Sequence, residues 1–108
     1  MASLSQKKCA PCHSQEGKFN QNQIKDYIEL VPDWSLIDNH HIQRSYKFKN
    51  FADALTFVNK IGVIAEQEGH HPDIEFGWGK VKIILWTHSV NGLSENDFIL
   101  AAKFNELN

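Results

Sequence analysis

The chain has 108 residues, enough to bury one hydrophobic core and too few for a second, so a single domain with one principal site is expected. A formal charge of −2, a pI near 6.3 and eleven Lys and Arg scattered along the chain exclude a basic face that grips nucleic acid directly. The longest apolar runs, such as Ile83-Ile84-Leu85-Trp86, are far too short for a membrane span, and no secretory-type apolar stretch opens the sequence, which points to a cytoplasmic protein.

Residues 1–20 are polar and lack an apolar period, so they read as a flexible N-terminal arm without chemistry of its own, ahead of a domain over 21–108. The arm holds both cysteines, in Cys9-Ala10-Pro11-Cys12-His13, which matches the bare pattern for c-type haem attachment and half of a zinc site. Haem attachment requires export, and a structural zinc site requires four ligands where no second Cys pair exists. The segment therefore reads as a terminal stretch with two reduced thiols, with zinc completed by His13 and a neighbouring subunit as the alternative.

Ile24, Tyr27, Ile28 and Val31 recur at helical spacing, with Asn20 or Asn22 as cap and Pro32 as the stop. Trp34–Ile37 and His41–Lys49 read as two strands, the second alternating Ile42, Tyr46 and Phe48 with polar residues, joined by a turn at Asp38-Asn39-His40. Asn50 caps a long second helix whose apolar face is Phe51, Ala54, Leu55, Val58, Ile61 and Ala65, and Gly69 is its C-terminal stop. After Pro72, Ile74, Phe76 and Trp78 alternate. Gly77 and Gly79 loosen the chain, and Val81, Ile83, Leu85 and Thr87 form a last strand ending at His88. Ser94-Glu95-Asn96-Asp97 resembles a capping box opening a third helix through Phe98, Ala101 and Ala102.

The order α-β-β-α-β-β-α, with strands in hairpins, predicts an α+β two-layer sandwich: a four-stranded antiparallel sheet with three helices on one face. The opposite face of the last strand carries Ile84 and Trp86, more apolar than a solvated face, and a second copy of the chain is the expected cover.

Chemistry concentrates where the second helix meets the third strand, at Glu66-Gln67-Glu68-Gly69-His70-His71-Pro72. Imidazoles titrate near neutral pH, and Pro72 holds His71 extended because its ring clashes with a helical predecessor. Neighbouring extended side chains diverge, so His70 and His71 reach two sides of one bound molecule; the simpler alternative is a loop whose histidines satisfy local backbone groups. Antiparallel pairing of the last two strands brings His88 towards the same place. Asp97 and Glu66 are the carboxylates able to orient imidazoles, and Trp34 offers an aromatic surface.

His70-His71-Pro72, Val81-x-Ile83-x-Leu85-x-Thr87-His88 and Gly92-Leu93-Ser94-x-x-Asp97, with Phe48-x-x-Phe51-x-x-Ala54-x-x-Phe57 upstream, resemble the pterin-4a-carbinolamine dehydratase family from about Trp34 to Leu107. The Cys-x-Pro-Cys arm is similar to the N-terminus of bacterial members. The resemblance implies dehydration of 4a-hydroxytetrahydrobiopterin to quinonoid dihydropterin and water, in support of tetrahydrobiopterin recycling, with no metal or cofactor. It implies His70 and His88 as acid candidates for the leaving hydroxyl and His71 as base or pterin-holding group. Asp97 would orient His88, and Glu66 and Trp34 would line the site. The assembly expected from the Ile84 and Trp86 face is a homodimer or homotetramer. Gly69 departs from the polar or acidic residue that many members carry before the His pair. The competing class is a protein-binding module, since animal relatives act as dimerisation cofactors for a homeodomain transcription factor, a role that leaves the histidines idle. A metal site at His70, His71 and His88 is a third reading.

Overall fold

The computed structural model describes residues 4–10 and 17–107. Helix α1 spans Gln21–Ile28, β1 Ser35–Ile37, β2 His41–Lys47, α2 Phe51–Glu68, β3 Asp73–Gly77, β4 Lys80–Leu85 and α3 Glu95–Asn105, with short 3-10 turns at Leu4–Gln6 and His88–Val90. The strands form one antiparallel sheet in the order β1-β2-β4-β3, the expected α+β architecture. No described helix is long and apolar enough to cross a membrane.

Local chemistry explains the element ends. Asn20 caps α1 in a reciprocal pair with Gln23, each side chain accepting the other residue's backbone N–H at 2.9 Å. The helix stops at Ile28, three residues before the last apolar position of its period. Val31 is nonetheless fully buried, carried by successive turns in which Val31 N–H donates to the Ile28 carbonyl and Trp34 N–H to that of Val31. In the β1–β2 turn Asp38 and Asn39 both have positive φ, 54° and 52°, a conformation that Asp and Asn tolerate best after glycine. Asn50 Oδ1 accepts the Asp53 N–H at 2.8 Å and starts α2, and Gly69 ends it in the left-handed region at φ 66°.

The core lies between the helices and one sheet face. Ile42 and Tyr46 of β2 and Val81, Ile83 and Leu85 of β4 meet Ile24 of α1, Ala54, Phe57 and Ile61 of α2, and Phe98, Ala101 and Phe104 of α3. The buried stripe of α2 is Ala54, Phe57, Ile61 and Ala65, a narrower set than expected: Phe51 and Leu55 are 45% and 40% exposed. The apolar surface of α2 is wider than one contact face, so residues on its shoulder stay outside. Two further departures concern the last third of the chain. Strand β4 ends at Leu85, and beyond it Thr87 forms only an isolated bridge with Gly92, so His88 stands on a 3-10 turn and not at a strand end. Helix α3 is buried almost all round, from Asn96 to Ala101 and at Phe104. Sheet and α2 cover one side, the 3-10 turn Leu4–Gln6 packs against it, and Phe19 stacks on Phe98 with ring centroids 5.8 Å apart. Residues 4–10 thus lie along α3, while Cys12 and His13 are outside the described residues.

Candidate active site

The site starts from the left-handed Gly69. With Gly69 as the cap residue, both its N–H and that of His70 turn back to the Ala65 carbonyl, which reverses the chain at the end of α2 and aims His70 at the N-terminus of α3. There Asp97 is fully buried. Its Oδ2 accepts the Thr87 hydroxyl at 2.8 Å and the Ser94 N–H at 3.0 Å, and its Oδ1 lies 2.7 Å from His70 Nε2. A carboxylate only accepts, so Nε2 of His70 carries the shared hydrogen and Nδ1 is the ring nitrogen left for other partners. Thr87 and Ser94 hydroxyls lie 2.7 Å apart and complete a closed network under the dyad.

Above it opens a cavity of about 690 Å³, a size suited to a small organic ligand. All three expected histidines line it, together with Glu68, Trp86, Thr87 and Asn96, and with Cys9 and Ala10 from the N-terminal segment. His88 stacks on Trp86, centroids 3.8 Å apart and planes 20° from parallel. Trp86 also lies 4.5 Å from His40, whose Nε2 meets Asn91 Oδ1 at 3.0 Å and so ties the β1–β2 turn to the loop carrying His88. His71 Nε2 lies 2.5 Å from Glu66 Oε2, but the two side chains are 60% and 78% exposed, so this pair orients the ring without adding much stability.

Three of the expected placements come out differently. Asp97 holds His70 and not His88, because the 3-10 turn carries His88 away from α3 while the Gly69 reversal brings His70 to it. Glu66 contacts His71 but is absent from the cavity wall, which instead carries Glu68, half a turn further along α2. Trp34 is a core residue, 3% exposed: its indole N–H donates to Asn105 Oδ1 at 2.8 Å, an oxygen that also accepts from Arg44 Nη1 at 2.6 Å. Trp86, Thr87, Asn96, Cys9 and Glu68 are the wall residues that sequence reasoning missed. Trp86 carries a signal, an aromatic on the outer face of an alternating strand, where a second copy of the chain is the expected cover. Among the described residues no three His, Cys, Asp or Glu are grouped to hold a metal ion.

The Cys9 thiol is pushed up to about 12, first by burial and then by the Glu68 carboxylate, so it is a neutral wall group near pH 7. Glu95, beside the arm, is held below the usual carboxylate range by hydrogen bonds from Lys7 and Tyr27.

The sequence profile of the family described as Pterin 4 alpha carbinolamine dehydratase matches residues 17–107. A protein of Alkaliphilus metalliredigens (strain QYMF), provisionally named for that activity, is 50% identical over 107 residues, covering 98% of this chain and 96% of its own. Pterin-4-alpha-carbinolamine dehydratase 2, mitochondrial, of Arabidopsis thaliana is 44% identical over 112 residues, covering 99% of this chain and 60% of that one. The crystal structure of a transcriptional coactivator/pterin dehydratase from Brucella melitensis superposes with a TM-score of 0.76 at 31% identity, covering 82% of this chain and 95% of that one. This chain belongs to the pterin-4a-carbinolamine dehydratase family.

Proposed function

We propose that the protein dehydrates a 4a-hydroxytetrahydropterin, of which 4a-hydroxytetrahydrobiopterin is the type substrate, to the quinonoid dihydropterin and water, returning the pterin for reuse. The observation that carries the reading is the convergence of His70, His71 and His88 on one cavity, with His70 hydrogen-bonded to a fully buried Asp97. In the reaction the C4a–O bond breaks with its electron pair on oxygen, and that oxygen takes a proton from an imidazolium and leaves as water. The N5 lone pair forms the C4a=N5 double bond, and a ring nitrogen gives its proton to a second imidazole, so the protons balance. Imidazole serves either role near neutrality.

His70 acts as the acid in this reading, because Asp97 at 2.7 Å accepts from Nε2, fixes the ring and leaves Nδ1 for the substrate. His88, flat against Trp86, presents a ring edge to the pterin as the second acid candidate, and Trp86, not Trp34, supplies the aromatic surface. His71, oriented by Glu66, is the base or holds the ring. The chain works as a homodimer or homotetramer; the large exposed apolar side chains Phe51, Leu55 and Val63 of α2 and Phe76 and Trp78 near the β3 edge support self-association there. The test follows decay of chemically generated 4a-hydroxytetrahydropterin, with and without prior treatment with a chelator. The parent chain should accelerate it equally in both cases, and His70→Ala, His71→Ala and His88→Ala should each slow turnover by roughly ten- to ten-thousand-fold. Full activity in all three folded variants refutes the assignment.

A further inference from the structure

Residues 4–10 precede the stretch matched by the family profile, yet they complete the cavity. The segment is fastened along its length. Lys103 Nζ donates to the Ser5 carbonyl at 2.7 Å, and Lys7 Nζ lies 2.8 Å from Glu95 Oε2, which also accepts the Tyr27 hydroxyl at 2.7 Å. At its far end Cys9 N–H donates to Glu68 Oε1 at 2.8 Å. Ala10 N–H donates to Asn96 Oδ1 at 2.9 Å, and Asn96 Nδ2 donates back to the Ala10 carbonyl at 2.6 Å. One side-chain amide that pairs with both the N–H and the C=O of a single residue fixes that residue's direction and register, as a strand partner does. Asn96 is 6% exposed, so its side of these bonds is shielded from competing water.

The two fastenings hang from the elements that hold the His70–Asp97 pair. Glu68 stands two residues before His70, and Asn96 is next to Asp97 in the first turn of α3. Cys9 and Ala10 are therefore placed against the same cavity by the same two helix ends that aim His70.

We propose that Cys9 and Ala10 are a substrate-contacting wall of the pterin cavity, and that Asn96 and Glu68 are positioning residues that hold this wall in place. The proposal rests on the dehydratase reading. Small side chains there leave a shallow surface for a flat bicyclic ring, and the wall offers no group that exchanges protons near neutral pH, since burial keeps the Cys9 thiol protonated. A wall of this kind binds substrate and transition state alike, so it sets KM and leaves kcat alone.

The experiment compares the parent chain with a variant lacking residues 1–10 and with Asn96→Ala, which keeps the segment and serves where the truncated chain does not fold. Dehydration kinetics give kcat and KM, and titration with 7,8-dihydrobiopterin, an unreactive pterin, gives Kd. Both variants should raise KM and Kd by about tenfold while kcat stays within about threefold, a split that a loss of stability alone does not produce. Folded variants with parental KM and Kd overturn the wall, as does a fall in kcat at unchanged KM. A parent chain that neither binds nor dehydrates the pterin overturns the dehydratase reading and the wall with it, which separates the two failures.

Discussion

Replacing Asp97 separates its charge from its shape. Asp97→Asn keeps size and one acceptor, and the Thr87 hydroxyl and Ser94 N–H, both on Oδ2, retain it if the amide oxygen takes that position. The amide nitrogen then faces His70 Nε2 at the distance now occupied by Oδ1, 2.7 Å, and donates where the carboxylate accepted. The imidazole must then accept at Nε2 and keep its single hydrogen on Nδ1, which opposes the doubly protonated ring that the proposed acid requires. A charge-assisted hydrogen bond of about 1.5–3 kcal/mol becomes a neutral one of about 0.5–1.5, so stability falls by about 1 kcal/mol, while turnover falls by roughly a hundred- to ten-thousand-fold. Asp97→Ala instead strands all three donors in a fully buried site and should cost about 3–5 kcal/mol, enough to threaten folding. Urea unfolding and the decay of 4a-hydroxytetrahydropterin measure the two effects side by side. Parental turnover in a folded Asp97→Asn would falsify the claim that Asp97 holds His70 for catalysis.

Gly69→Ala should cost about 1–2 kcal/mol in urea unfolding, because the added methyl group meets no atom within 4 Å and the whole penalty comes from the left-handed backbone; an unchanged midpoint would contradict that backbone. For Cys9 the folded state holds the thiol at about 12 against an ordinary 9.0, so its stabilisation is complete below pH 9 and declines as pH rises towards 12. Cys9→Ala should flatten that alkaline limb of an unfolding series, and persistence of the limb would trace it to other groups. Light scattering at micromolar concentration should give a dimer or larger for the parent, and Val63→Asp, which charges an exposed position of α2, should shift it towards monomer; a monomeric parent removes the assembly reading.

Elements with strong local chemistry were readable without coordinates. Asn20, Asn50 and Ser94 mark helix starts, Gly69 marks a helix end, and Asp38-Asn39 marks a turn, because each satisfies or frees backbone groups within a few residues of itself. The alternation of Val81, Ile83 and Leu85 likewise identifies the inner sheet face, since residues two apart share a face whatever they pack on. The histidines were legible as types at a chain reversal, and the family resemblance assembled them into one site.

Partnership was decided by tertiary structure. Whether Asp97 serves His70 or His88 depends on where β4 stops, and a strand that ends at Leu85 with a 3-10 turn after it leaves no mark in the alternation, which continues through Thr87. Trp34, expected to offer its ring to the site, is core, and Trp86, expected on the outer sheet face, lines the cavity, because an indole suits either place. What separates them is that Asn105 of α3 meets the N–H of Trp34, whereas Trp86 lies on the outer sheet face between His40 and His88. Residues 4–10 give no periodic signal, since apart from the Lys7–Glu95 pair their polar attachments run largely through backbone groups that every sequence carries, and only the fold brings Asn96 and Glu68 within reach of them.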